Sequence, residues 1–302
     1  GNSVGRGDIA VNNVTSGQVN IQNSTISNVE YSYYLNIVQC LWIVNSHVTV
    51  NNTTFTGCAT AGGQYDRNYP IFVRGANSVA TLTNNTFVNN YKNRIALEPD
   101  AMMGQNATLG SETVGGAYEL LIQDTDPFIV PVGITLTVQP GVTVMGNLDR
   151  ELQVLGRLEA LGTPAQPVTF TSVSNSGITQ WSGILIDGGS ATLSNTIIRY
   201  AGGINSAGKH TGLMVNNVQT GQVVVENSTI SDIGTGYAYT SFYAMMIQNS
   251  IAQVTDSAFT NNNSGGEYYG NSYPLYIAGA DSVVTLTGNT FTGNDRNKIG
   301  LA

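Results

Sequence analysis

Gln18-Val19-Asn20-Ile21-Gln22-Asn23-Ser24-Thr25-Ile26 and Gln222-Val223-Val224-Val225-Glu226-Asn227-Ser228-Thr229-Ile230 are one phrase written twice, 227 − 23 = 204 residues apart. Each reads as a strand, a polar corner and a second strand. The same frame holds, without a gap, for residues 1–98 against 205–302, with 37 of the 98 positions identical. Phe55/Phe259, Tyr69-Pro70/Tyr273-Pro274 and Phe87/Phe291 keep it. A unit that returns in one frame, connections included, is a stacking unit. Residues 1–98 are therefore read as the second half of one 204-residue unit, 99–204 as the first half of the next, and 205–302 as its second half. Together they make one continuous coil over 1–302.

A finer rhythm runs inside each copy. Leu41-Trp42-Ile43-Val44-Asn45 precedes His47-Val48-Thr49-Val50-Asn51-Asn52-Thr53-Thr54-Phe55, and Ile71-Phe72-Val73-Arg74-Gly75 precedes Ser78-Val79-Ala80-Thr81-Leu82-Thr83-Asn84-Asn85-Thr86-Phe87. The anchors Ile26, Phe55 and Phe87 recur at steps of 29 (55 − 26) and 32 (87 − 55). Such a step is too long for a hairpin and too short for a crossover with a proper helix. The spacing predicts an all-β solenoid, a parallel β-helix forming an elongated rod whose turns pair with the turns above and below. Three residues before each anchor stand Asn23, Asn52, Asn84, then Ser194, Asn227, Asp256 and Gly288. Asn23, Asn52, Asn84, Asn227 and Asp256 are expected to form an inward amide ladder at a tight corner.

Composition agrees with many short strands. Charged residues are 10% of the chain against about a quarter in ordinary globular proteins, and Gly 35 takes part of their place. The net charge of −8 carries no basic stripe, which argues against nucleic acid as a partner. No apolar run reaches the length of a membrane span, so membrane insertion is not expected. The chain opens at Gly1 and stops at Leu301-Ala302 where the first copy continues Leu97-Glu98-Pro99, and it is read as a piece of a longer chain.

Residues 133–186 add Leu136-Thr137-Val138-Gln139-Pro140-Gly141-Val142, Leu152-Gln153-Val154-Leu155-Gly156-Arg157-Leu158-Glu159-Ala160-Leu161-Gly162-Thr163, Pro167-Val168-Thr169-Phe170-Thr171 and Trp181-Ser182-Gly183-Ile184. This run resembles the right-handed parallel β-helix segments, of pectate-lyase-like type, in large secreted or cell-surface bacterial proteins. The resemblance implies the fold. It leaves function open among lyases, glycosidases, tailspikes, adhesins and stalks.

Catalysis on such a coil uses clustered carboxylates. No acidic residue of one copy faces an acidic residue of the other, and Asp124 with Asp126 and Asp149-Arg150-Glu151 read as turns. No catalytic residue, metal site or cofactor is assigned. His47 and His210 have Ile251 and Arg6 as counterparts, so no histidine motif persists.

Cys40 and Cys58 are replaced together in the second copy, by Ala244 and Asn262. Joint replacement suggests a disulfide between neighbouring turns and an oxidising compartment; two unrelated thiols are the alternative. Of eight Asn-X-Ser/Thr sequons, those on the ladder are expected to point inward, leaving Asn13 and Asn262 as the better glycosylation acceptors. Tyrosines crowd the long connections: Tyr31, Tyr33, Tyr34, Tyr65 and Tyr69 in one copy, Tyr237, Tyr239, Tyr268, Tyr269 and Tyr273 in the other. Their rings can stack on sugar or pack against protein, or else lie over the coil's apolar shoulder. Lys92 and Arg94 return as Arg296 and Lys298, charge kept and identity exchanged, either to hold a carboxylate or to cover a strand end.

The expectation is a non-catalytic extracellular structural protein, part of a surface fibre, filament, sheath or adhesin stalk, partnered by copies of itself. The alternative is a carbohydrate-binding or carbohydrate-active β-helix. Ice binding would need ranked Thr-x-Thr rows, and only Thr81-Leu82-Thr83, Thr135-Leu136-Thr137 and Thr285-Leu286-Thr287 fit.

Overall fold

A computed structural model describes residues 6–16, 18–29, 38–58, 68–111, 117–120, 126–147, 150–235, 240–263 and 272–302. Among them every regular element is a strand, and the described pairings are parallel apart from one isolated bridge, Ile204 to His210. The chain is an all-β parallel solenoid. It divides into two compact units, Gly1–Glu119 and Leu120–Ala302.

In the first unit three faces repeat. Arg6–Asn12, Val38–Val44, Tyr69–Arg74 and Arg94–Leu97 pair in order, with Ile9, Leu41, Ile71 and Ile95 in one row. Val19–Gln22, His47–Asn51 and Val79–Thr83 form the second face, and Thr25–Val29, Thr54–Cys58 and Thr86–Val88 the third. The second unit repeats this plan. Glu151–Val154, Gly183–Asp187, His210–Asn216, Phe242–Gln248, Tyr273–Ala278 and Ile299–Leu301 line one face. Arg157–Leu161, Ser190–Ser194, Val223–Glu226, Ile251–Thr255 and Val283–Thr287 line the next.

Parallel register places like over like inside the coil. Phe55 and Phe87 stack at 5.3 Å with 6° between planes, and Phe259 and Phe291 at 5.1 Å with 14°. Phe55, Phe87 and Phe259 are fully buried, each worth about 2–3 kcal/mol of apolar transfer. Within each unit the anchor positions therefore stack as an apolar column, as their spacing requires.

The corner residues stack as well, but their side chains do not point inward. Asn23, Asn52, Asn84, Asn227 and Asp256 are all exposed. What they share is a backbone with φ between 49° and 55°, the left-handed region that Asn, Asp and Gly tolerate best. Gly288 completes the column at φ 68°, and the Asp256 carboxylate lies over the space its side chain would fill. The inward polar column sits one residue later, at Thr53 and Asn85 in the first unit and Thr196, Ser228, Ser257 and Asn289 in the second. Asn85 Oδ1 accepts the Thr53 N–H at 3.0 Å, and its Nδ2 donates to the Val50 carbonyl at 3.0 Å. Ser228 and Ser257 hydroxyls accept the N–H of Thr196 and Ser228, and Asn289 accepts that of Ser257. A tight corner cannot satisfy these amides with its own backbone, so the next turn's side chain does.

Ser194 also leaves the column. Ile198, not Ile197, pairs with Ile230, which makes Asn195 (φ 47°) the corner residue of that turn. Two further left-handed columns bend the coil: Asn13, Asn45 and Gly75, and Asn28, Gly57 and Asn89.

Candidate functional site

The corner at Asn90–Arg94 is built by amides. Asn90 Nδ2 donates to the Phe55 carbonyl (2.9 Å) and to Asn93 Oδ1 (2.9 Å), while Asn90 Oδ1 accepts the Cys58 N–H (2.8 Å). The corner at Asn294–Lys298 repeats this bond for bond. Asn294 Nδ2 donates to Phe259 O (2.9 Å) and Asn297 Oδ1 (2.9 Å), and its Oδ1 accepts the Asn262 N–H (3.0 Å). Each corner presents two cations next to a tyrosine. Lys92 Nζ stands 4.6 Å from the centre of the Tyr69 ring, and the Arg296 guanidinium 5.3 Å from that of Tyr273.

In the first unit this group closes on Glu119. Arg94 Nη1 lies 2.8 Å from Glu119 Oε2, Tyr69 OH donates to Oε1 at 2.8 Å, and Lys92 Nζ donates to the Tyr69 oxygen at 3.0 Å. The Glu119 side chain is only 1% exposed, so its charge is desolvated and held by two cations and a phenol. In the second unit Arg296, Lys298 and Tyr273 make no ion pair among the described residues, and Lys298 is exposed.

Beside Tyr273 the rings form a shelf. Tyr243 stacks on Tyr276 at 4.6 Å and Tyr273 on Tyr276 at 5.7 Å. Gly300 makes room for it: a Cβ there would lie 2.6 Å from Tyr276 Cδ2 and 2.8 Å from Tyr273 Cδ2. Tyr243 is buried among Leu185, Met214 and Met246, whereas Tyr273 and Tyr276 remain half-buried. Burial pushes the Tyr243 phenol above its ordinary range. Of the sequence-flagged tyrosines, Tyr69 and Tyr273 are placed here; Tyr31, Tyr33, Tyr34, Tyr65, Tyr237, Tyr239, Tyr268 and Tyr269 lie outside the described residues.

Glu151 is the other group that pattern reading misplaced. It opens a strand rather than a turn, is buried, and accepts hydrogen bonds from both the Ser206 N–H (2.9 Å) and the Ser206 hydroxyl. Burial, reinforced by the nearby Asp187, holds its pKa above the usual carboxylate value against the pull of the Ser206 bonds. The loop carrying Ser206 also lays Ala207 on the Leu185, Met214, Tyr243 and Met246 cluster.

Cys40 and Cys58 are joined in a disulfide within the first unit. Asn13 is exposed at a left-handed corner. Asn262 is not an acceptor for glycan: it is 1% exposed, and its amide donates to Ile230 O (3.1 Å) and Asn294 Oδ1 (2.8 Å) while its oxygen accepts the Ile233 N–H. The ladder sequons Asn23 and Asn84, expected to be inaccessible, are exposed as well. No protein-family model, curated protein or solved structure matches this chain.

Proposed function

We propose that this is a non-catalytic structural protein of the secreted or cell-surface β-helix kind, whose turns serve to extend a fibre, sheath or stalk and whose partners are copies of itself. The observation that carries the reading is the bond-for-bond return of the Asn90–Arg94 corner at Asn294–Lys298. A repeated corner with the same basic and aromatic side chains is what an assembly built of equivalent turns uses. Five of the described acids support it, because they are engaged in holding the coil: Glu119 by Arg94, Glu98 by Arg74, Glu151 by Ser206, Asp187 by Asn216 and Glu159 by Arg157. The Cys40–Cys58 bridge favours an oxidising, extracellular setting. Sedimentation velocity across a range of concentrations, with electron microscopy of the same samples, tests it. Filaments or concentration-dependent growth are expected; a strictly monomeric chain that turns over a polyuronate or neutral glycan overturns it.

A second reading rests on the Tyr273–Tyr276 shelf. Two half-buried, stacked rings with a guanidinium alongside suit a sugar face. Glycan titration of the protein and of Tyr276→Ala decides it: this reading requires binding that the substitution abolishes.

A further inference from the structure

We infer that Asn84 in the first unit and Asn227 in the second are modification sites, each the acceptor of an N-linked sugar chain. The inference goes beyond the structural role proposed above and does not depend on the chain assembling with itself.

An Asn-X-Ser/Thr acceptor must present two groups outside the fold together, the asparagine amide and the hydroxyl two residues on. These corners do so because the residue between them turns inward. Asn85 and Ser228 are 0% and 4% exposed, and each accepts a backbone N–H of a neighbouring turn, that of Thr53 and of Thr196. Asn84 and Asn227 are thrown outward and exposed, at φ 55° and 49°. Thr86 and Thr229 open the strands Thr86–Val88 and Thr229–Ser231 on the outer side, since Phe87 and Ile230 take the inward position. At Asn262 the sequon falls one position out of this frame: its amide is the inward group and is spent on the coil.

Hydrogen bonding then separates the corner sequons from one another. Asn52 Nδ2, the atom a sugar would take, donates to Asn23 Oδ1 at 2.6 Å, and Asn52 has an asparagine on the turn to either side. A sugar there would break that bond and stand about 4.8 Å, one strand spacing, from each neighbour. The side chains of Asn84 and Asn227 make no hydrogen bond among the described residues. Asn227 has in its column Asn195, whose Nδ2 donates to Gly162 O and Ser194 Oγ at 3.2 Å each, and Asp256. Neither opens a sequon: the chain reads Asn195-Thr196-Ile197 and Asp256-Ser257-Ala258. Each column thus holds a corner acceptor with a free amide and no rival sugar on the adjacent turn. The step is a glycosyl transfer. Asn Nδ2 bonds to the anomeric carbon of a sugar pyrophosphate donor, the amide loses one proton, and the pyrophosphate group leaves.

Glycopeptide mapping by mass spectrometry, on the full chain isolated from its native source, tests this and reads sugar mass whatever the oligomeric state. Sugar is expected on the peptides that carry Asn84 and Asn227, with Asn52 and Asn262 at their unmodified masses. Thr86→Ala and Thr229→Ala, made in the same source, should each remove one sugar chain while the left-handed asparagine stays in place. Thr86→Ser and Thr229→Ser, which keep the hydroxyl, should retain it. Bare Asn84 or bare Asn227 in the native protein, sugar on Asn52 or Asn262 at equal occupancy, or sugar that survives the Thr→Ala changes overturns the assignment.

Discussion

Asn85 Oδ1 accepts the backbone N–H of Thr53 at 3.0 Å, one full turn away and wholly buried. Its neighbour Asn84 is exposed and contributes a left-handed backbone instead. The two asparagines should therefore respond oppositely to substitution. Asn85→Ala orphans a buried N–H and a buried carbonyl and should cost about 2–4 kcal/mol in urea unfolding. Asn84→Gly keeps the φ of 55° accessible and should change stability by less than about 1 kcal/mol.

The disulfide and the amide pair are two solutions to one position. Cys58 aligns with Asn262, whose side chain bridges Ile230, Ile233 and Asn294. Replacing Cys40 and Cys58 both by Ala should cost about 3 kcal/mol, from a loop of separation 18. Cys40→Ala with Cys58→Asn should recover part of that loss, since Asn90 stands where Asn294 does. Unfolding curves of the two double variants, compared at equal m-value, check this.

Removing the acid beneath the basic corner leaves two cations without it. Glu119→Gln should destabilise the protein by about 2 kcal/mol, moderated because Lys92 and Arg94 keep 11% and 22% side-chain exposure. The second-unit change Lys298→Ala, at an exposed side chain, should be nearly silent in the same assay.

Glu151 gives stability a pH dependence of unusual sign. Its folded pKa lies above the unfolded value of 4.5, so the folded protein binds this proton more tightly. Its contribution therefore declines as pH rises from the unfolded value through the raised folded one, and is constant below that window. Glu151→Gln should remove this slope. Urea midpoints of both proteins measured from pH 4 to 8 should show the wild type losing stability relative to Glu151→Gln as pH rises; parallel lines would sink the assignment.

How much of this could be read from the sequence varies by element. The solenoid was legible because its turns recur at steps of 29 and 32, which suit neither a hairpin nor a helical crossover. The ladder was legible only to within one residue. Asn84-Asn85 offers an amide at both positions, and alignment cannot say which of them bends the chain and which turns inward. Ile197-Ile198 hides the same ambiguity: counting back from Ile197 points to Ser194, whereas the corner is Asn195. The basic pair was visible because its charge persisted. Its partner Glu119 was not: it lies 25 residues past Arg94 in the stretch that occurs once, where no spacing rule reaches it. Glu151 read as a turn because its cover, Ser206, is 55 residues away.

Asn23, Asn52 and Asn84 stand one above another although the chain takes a step of 29 to the second and of 32 to the third. The backbone bonds from Asn23 to Asn51 and from Asn52 to Thr83 are nevertheless the same length, 3.1 Å. The difference between the two steps is absorbed away from the corner. Insertions on that side leave the pitch of the coil untouched, so foreign loops could be grafted there at regular heights, which makes this chain a ruler for spacing displayed peptides.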